Sequence, residues 1–100
     1  MTELCLTLLC PPAIEEKLLD LLLLSPNVAV FTSAPIAAHG LSPENLDQTE
    51  QVMGRARATE IQVIFAAADK TTLLADIRQQ FAGTGLRYWV MTLVEAGEIV

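Results

Sequence analysis

The sequence is poor in the residues from which most catalytic and metal sites are built. It has one histidine, His39, and two cysteines, Cys5 and Cys10. A single imidazole with no paired-cysteine spacing gives no closed zinc site on one chain, and no phosphate-binding glycine loop or nucleophile–base set stands out. The protein is not expected to be an enzyme. The two cysteines make no disulfide framework, because on one strand their odd spacing sends them to opposite faces. They are expected to be small buried hydrophobes. Positive charge is scarce too. Six Lys and Arg stand against twelve Asp and Glu, a net charge of −6 with pI ≈ 4.5. That balance argues against nucleic-acid partners, which are held through basic surface. Long apolar runs are missing as well. The richest stretch, residues 18–24, is interrupted by Asp20 and is too short to cross a bilayer, so no direct membrane insertion is expected. Met-Thr-Glu-Leu-Cys at the start has no basic segment of the signal-peptide kind, and the expected location is cytoplasmic.

What is present is apolar. Hydrophobic residues make up 52% of the chain and charged residues 18%, with a mean hydropathy of +0.43. A globular chain of 100 residues can bury one core, so residues 1–100 read as a single domain. Glu3 to Cys10 is a short apolar run that ends at Pro11-Pro12 and reads as a strand. The prolines suit a helix start, with Glu15 and Glu16 near the positive end of its dipole. Ile14, Leu18, Leu21 and Leu22 form its stripe, widened by Leu19 and Leu23, and Ser25-Pro26-Asn27 ends it. Residues 28–37 are β-branched and aromatic and make a second strand, with Pro35 pointing to an edge. A polar segment of about 39–54 follows, a long loop expected to be flexible, with Gly40 and Gly54 bracketing its interior. Residues 55–68 return to strand character. Asp69 suits the N-cap of a second helix whose stripe is Leu73, Leu74, Ile77 and Phe81, and Gly83 sits where a helix-ending glycine belongs. Residues 86–95 make the last strand, and 96–100 a short hook.

The order β-α-β-β-α-β predicts an α+β fold, the ferredoxin-like sandwich, in which an antiparallel four-stranded sheet carries both helices on one face. Alternation then sets a second expectation. Leu4, Leu6 and Leu8 share one face of the first strand, and Cys5, Thr7 and Leu9 the other. Tyr88 and Val90 oppose Trp89, Met91 and Leu93 on the last strand. A sheet that is apolar on both sides implies oligomerisation through its open face, and a closed trimer would hide it.

The element order and long central loop resemble the PII signalling superfamily. Local motifs are similar to those of a small PII-like family encoded near heavy-metal efflux systems in bacteria. They are His39-Gly40 at the start of the loop, Glu50-Gln51-Val52-Met53-Gly54-Arg55 at its exit, Tyr88-Trp89-Val90, and Glu95-Ala96-Gly97. The resemblance implies a homotrimeric regulatory or sensor protein. Small ligands would bind at subunit clefts lined by the loop base and by the turn Ala82-Gly83-Thr84-Gly85-Leu86-Arg87. Loop 39–54 would then engage a protein partner, for which the resemblance suggests a membrane transporter for metal efflux. The sequence departs from standard PII in two respects. The loop has no tyrosine for nucleotidylylation, and the turn lacks the Gly-Asp-Gly-Lys pattern that holds phosphates.

Two ligand classes follow for the site. For an adenine nucleotide or other anion the candidates are Gly40, Arg55, Arg57, Gly83, Thr84, Gly85 and Arg87. The arginines would supply charge, and the glycines exposed N–H groups. Arg55 and Arg57 could equally pair with Glu50 or Glu60, and the glycines could serve only as cap and turn. The alternative is direct binding of a transition metal ion by His39 with Glu44, Asp47 and Glu50. On its own His39 also reads as a plain polar residue beside a glycine hinge.

Overall fold

The computed structural model describes residues 2–40 and 55–100. Strand β1 spans Glu3–Cys10, helix α1 Glu15–Leu24, β2 Val28–His39, β3 Arg55–Ala66, helix α2 Lys70–Phe81 and β4 Arg87–Thr92. One turn of 3₁₀ helix leads into each helix, at Pro12–Ile14 and Ala67–Asp69. The four strands form one antiparallel sheet in the order β2-β3-β1-β4. This is the ferredoxin-like α+β arrangement expected from the element order.

Residue type accounts for where the elements begin and stop. Pro11 and Pro12 lack an N–H and cannot continue the β1 ladder, but Pro12 suits the first position of a helical turn. Pro35 lies on β2, an edge strand, where a missing donor costs little. Beyond α2, the turn Phe81–Thr84 has Ala82 at φ −59°, ψ 136°, and Gly83 at φ +79°. Thr84 N–H donates to the Phe81 carbonyl at 3.3 Å. These are type II turn angles, which require positive φ at the third residue. Gly83 thus follows the C-cap residue Ala82, as expected of a helix-ending glycine, and its positive φ also makes the turn.

The core lies between the helices and one sheet face. Leu6, Leu8, Ile61, Val63 and Phe65 from the central strands meet Leu18 and Leu22 of α1 and Leu73, Ile77 and Phe81 of α2. Full burial of each such side chain stabilises by roughly 1.5–3 kcal/mol. Leu23 does not widen the α1 stripe: it is 70% exposed, and Leu24 is 84% exposed. The rest of the stripe is as expected, with Leu18 and Leu22 buried and Ile14, Leu19 and Leu21 packed against the core. Residues 93–100 form no strand, and the expected hook is absent: Ile99 and Val100 are fully exposed.

Register makes the opposite sheet face explicit. Val30, Ile64, Cys5 and Met91 form one cross-strand row, and Thr32, Gln62, Thr7 and Trp89 the next. Cys5 and Thr7 are buried by these neighbours, whereas Trp89 and Met91 are 43% and 44% exposed. Among the described residues, the buried Thr7 hydroxyl has no hydrogen-bond partner. Cys5 and Cys10 are free thiols on opposite faces. Among the described residues, no helix is long and apolar enough to cross a membrane.

Candidate functional site

Strands β2 and β3 pair from Val28 and Phe65 to His39 and Arg55, whereas β1 pairs with β3 only as far as Cys10 and Thr59. The prolines that end β1 thus leave the hairpin to run on past it. Over Arg55–Ala58 the other edge of β3 has no strand partner among the described residues.

A cleft of about 260 Å³ occupies the space that β1 vacates. One wall is the hairpin, with Ala38, Ala56, Arg57 and Ala58, and the other is the turn before β4, with Thr84, Gly85, Leu86 and Arg87. Pro11 and Pro12 form the remaining side. The alanines leave the room, and the cross-strand partner of Arg87, Leu9, supplies apolar surface. Gly85 is at φ +88°, and a Cβ there would stand 3.7 Å from Pro11 Cγ, so the turn lies against the proline wall.

The structure therefore brings four of the expected anion-site residues into one cleft: Arg57, Thr84, Gly85 and Arg87. Thr84 is already engaged, since its hydroxyl donates to the Phe81 carbonyl at 2.6 Å in addition to the N–H bond of the turn. Its role there is to hold the turn. Gly83 does not line this cleft. Gly40, at φ +79°, and Arg55 lie further out, at the end of the β2–β3 ladder. Pro11, Pro12 and the alanines were not singled out from sequence. Their signal was the small-residue pattern at 37–38 and 56–58 on two facing strands.

His39 is exposed and stands directly opposite Arg55 in the β2–β3 ladder. Glu44, Asp47 and Glu50 lie outside the described residues, as does loop 41–54 and its expected flexibility. Because β2 includes His39, the loop departs at Gly40. Among the described residues, no three His, Cys, Asp or Glu side chains cluster as metal ligands would. Next to the cleft, burial pushes the Cys10 thiol from 9.0 up to about 11, with a further push from the Glu15 carboxylate. That carboxylate accepts a hydrogen bond from the Thr59 hydroxyl.

The family described as "Protein of unknown function (DUF3240)" matches residues 1–100. The chain belongs to the DUF3240 family. A crystal structure of a DUF3240 family protein from Shewanella baltica OS155 is similar over 100% of this chain and 99% of that one, with a TM-score of 0.82 at 19% identity. GlnK of B. subtilis is similar over 94% of this chain and 87% of its own, with a TM-score of 0.67 at 16% identity. A Bacillus cereus protein related to NIF3 matches 97% of this chain with 26% of its own, at TM-score 0.72 and 14% identity. No curated protein matches the chain. At these identities the likeness is one of fold, and it makes the DUF3240 chain PII-like in architecture.

Proposed function

We propose that this protein is a PII-like regulatory module that works by binding rather than catalysis. It takes a small anionic ligand in the cleft between the hairpin base and the β4 turn and signals that state to a protein partner. The observation that carries this reading is the convergence of Arg57 and Arg87 on one cleft. Two guanidinium groups beside a glycine turn are donors suited to phosphate or carboxylate.

The working unit is a homotrimer. The row of Val30, Ile64, Cys5 and Met91, with Trp89 beside it, supplies apolar surface for it, and the resemblance of the sequence to PII proteins implies three sheets closing around an axis. Ligand clefts would then lie near subunit boundaries, and the segment after Gly40 would carry the signal. A metal efflux transporter is the partner suggested by the resemblance of the sequence motifs, and the cytoplasm is the matching location. The metal-carrier alternative draws no support from His39, whose nearest cross-strand neighbour is the Arg55 cation.

Calorimetric titration tests the reading. Purified protein is titrated with ATP, ADP and AMP, and separately with Zn²⁺, Cu²⁺, Ni²⁺ and Co²⁺. Saturable nucleotide binding that is lost on substitution of Arg57 or Arg87 supports the anion sensor. Metal binding that disappears in His39→Ala and weakens as pH falls through about 6.5 overturns it in favour of the metal carrier.

A further inference from the structure

On the helix side of the sheet, beside β4, lies a second cavity of about 130 Å³. Its floor is core: Leu8, Ile77 and Phe81 are buried, and Leu74 and Leu86 are half-buried. Its rim is polar, formed by Arg78 of α2 and Tyr88 of β4. Arg78 Nη2 donates to the Tyr88 hydroxyl at 2.8 Å, and the guanidinium carbon stands 5.8 Å from the centre of the Tyr88 ring. The direction of that bond matters. The phenol oxygen accepts from arginine, so the phenol proton remains available to a third group, as do the other guanidinium N–H groups. Both rim residues present donors, and the cation–π contact holds the fork in place over the ring. Among the described residues, no carboxylate pairs with Arg78, although acids outnumber Lys and Arg twelve to six in the chain.

An apolar floor under a rim of two donors, one of them cationic, fits a ligand with a branched aliphatic body and an anionic head. The volume limits the body, since a cavity of about 150 Å³ holds a molecule the size of benzene. We propose that this cavity is a binding site for a short, branched aliphatic monocarboxylate, with Arg78 and Tyr88 holding the carboxylate and Leu74, Ile77 and Leu86 around the tail. A phosphate would gain nothing from the leucine floor. A neutral alcohol or amide would leave the guanidinium charge unanswered.

The test is calorimetric titration of the full chain with isovalerate, with its neutral analogue isovaleramide and with acetate, at one ionic strength. Saturable binding of isovalerate is expected, with isovaleramide and acetate weaker by about tenfold or more. Arg78 is exposed, so Arg78→Gln leaves packing intact, and it should weaken isovalerate by about tenfold or more. Tyr88→Phe should weaken it several-fold. Arg87→Gln, which alters the first cleft, should leave it unchanged. The proposal is overturned if isovalerate does not saturate the protein, if amide and acid bind alike, or if Arg78→Gln binds as well as the parent. Loss of binding in Arg87→Gln but not in Arg78→Gln would assign the acid to the other cleft and also overturn it.

Discussion

Arg57 and Arg87 sit on strands that do not touch, since β1 lies between β3 and β4, yet both line one cleft. They meet there because β1 stops at Cys10 while β3 begins earlier, at Arg55, beyond the reach of β1. Replacing either arginine by alanine should weaken a phosphorylated ligand by roughly 1.5–3 kcal/mol, the loss expected for a charge-assisted hydrogen bond. Arg55→Ala removes a charge outside the cleft lining and should have a smaller effect, felt mainly at low salt. Calorimetry on the three variants ranks them. A ranking led by Arg55 would move the site outward along the hairpin.

Assembly follows from the open face. Trp89 and Met91 lie beside buried Cys5 and Thr7 on the face opposite the two described helices. Light scattering at micromolar concentration should report three times 10.8 kDa. Trp89→Glu places a charge in that face and should shift the mass toward one chain while circular dichroism keeps its shape. A wild-type monomer would refute the trimer.

Gly83 is a test of the turn that both cavities adjoin. Among the described residues, nothing lies within 4 Å of a Cβ built there, so the cost of a side chain comes from φ +79°. Gly83→Ala should destabilise by about 1–2 kcal/mol in urea unfolding, and Gly83→Asn by less, because asparagine tolerates this region better. Equal stability of all three proteins would mean that the turn relaxes to another type.

Alternation on β1 separated Leu6 and Leu8 from Cys5 and Thr7, but with both faces apolar it did not say which set would meet the helices; the structure puts Leu6 and Leu8 there. The element order then left few topologies to consider. The facing of α1 was legible from the stripe of Ile14, Leu18, Leu21 and Leu22, and only the width of that stripe was misjudged, since Leu19 packs on the core and Leu23 does not. The cleft was half legible. Charge marked Arg57 and Arg87. The room between them depends on where β1 stops relative to β3, a register relation that no local spacing encodes. The Arg78–Tyr88 pair was invisible for a similar reason, because it joins α2 to β4 across a turn whose geometry sets the distance.

Cys10 links the core to pH. In the unfolded chain its thiol titrates near 9.0, and in the folded protein it is pushed up to about 11, first by burial and then by the Glu15 carboxylate. Between those values the unfolded chain has released a proton that the folded protein still holds. Raising the pH therefore favours unfolding. The contribution is fully present below about pH 9 and is lost as pH climbs toward about 11. Urea unfolding of the parent and of Cys10→Ala at about pH 8 and at about pH 10.5 isolates it, because everything but the thiol is common to the two proteins and cancels in the difference. The parent should lose more stability than Cys10→Ala over that interval. Glu15→Gln, which removes the secondary cause, should narrow the gap without closing it. If the parent and Cys10→Ala fall in parallel, the thiol is reached by solvent, and the β1 end that walls the cleft is looser than its packing indicates.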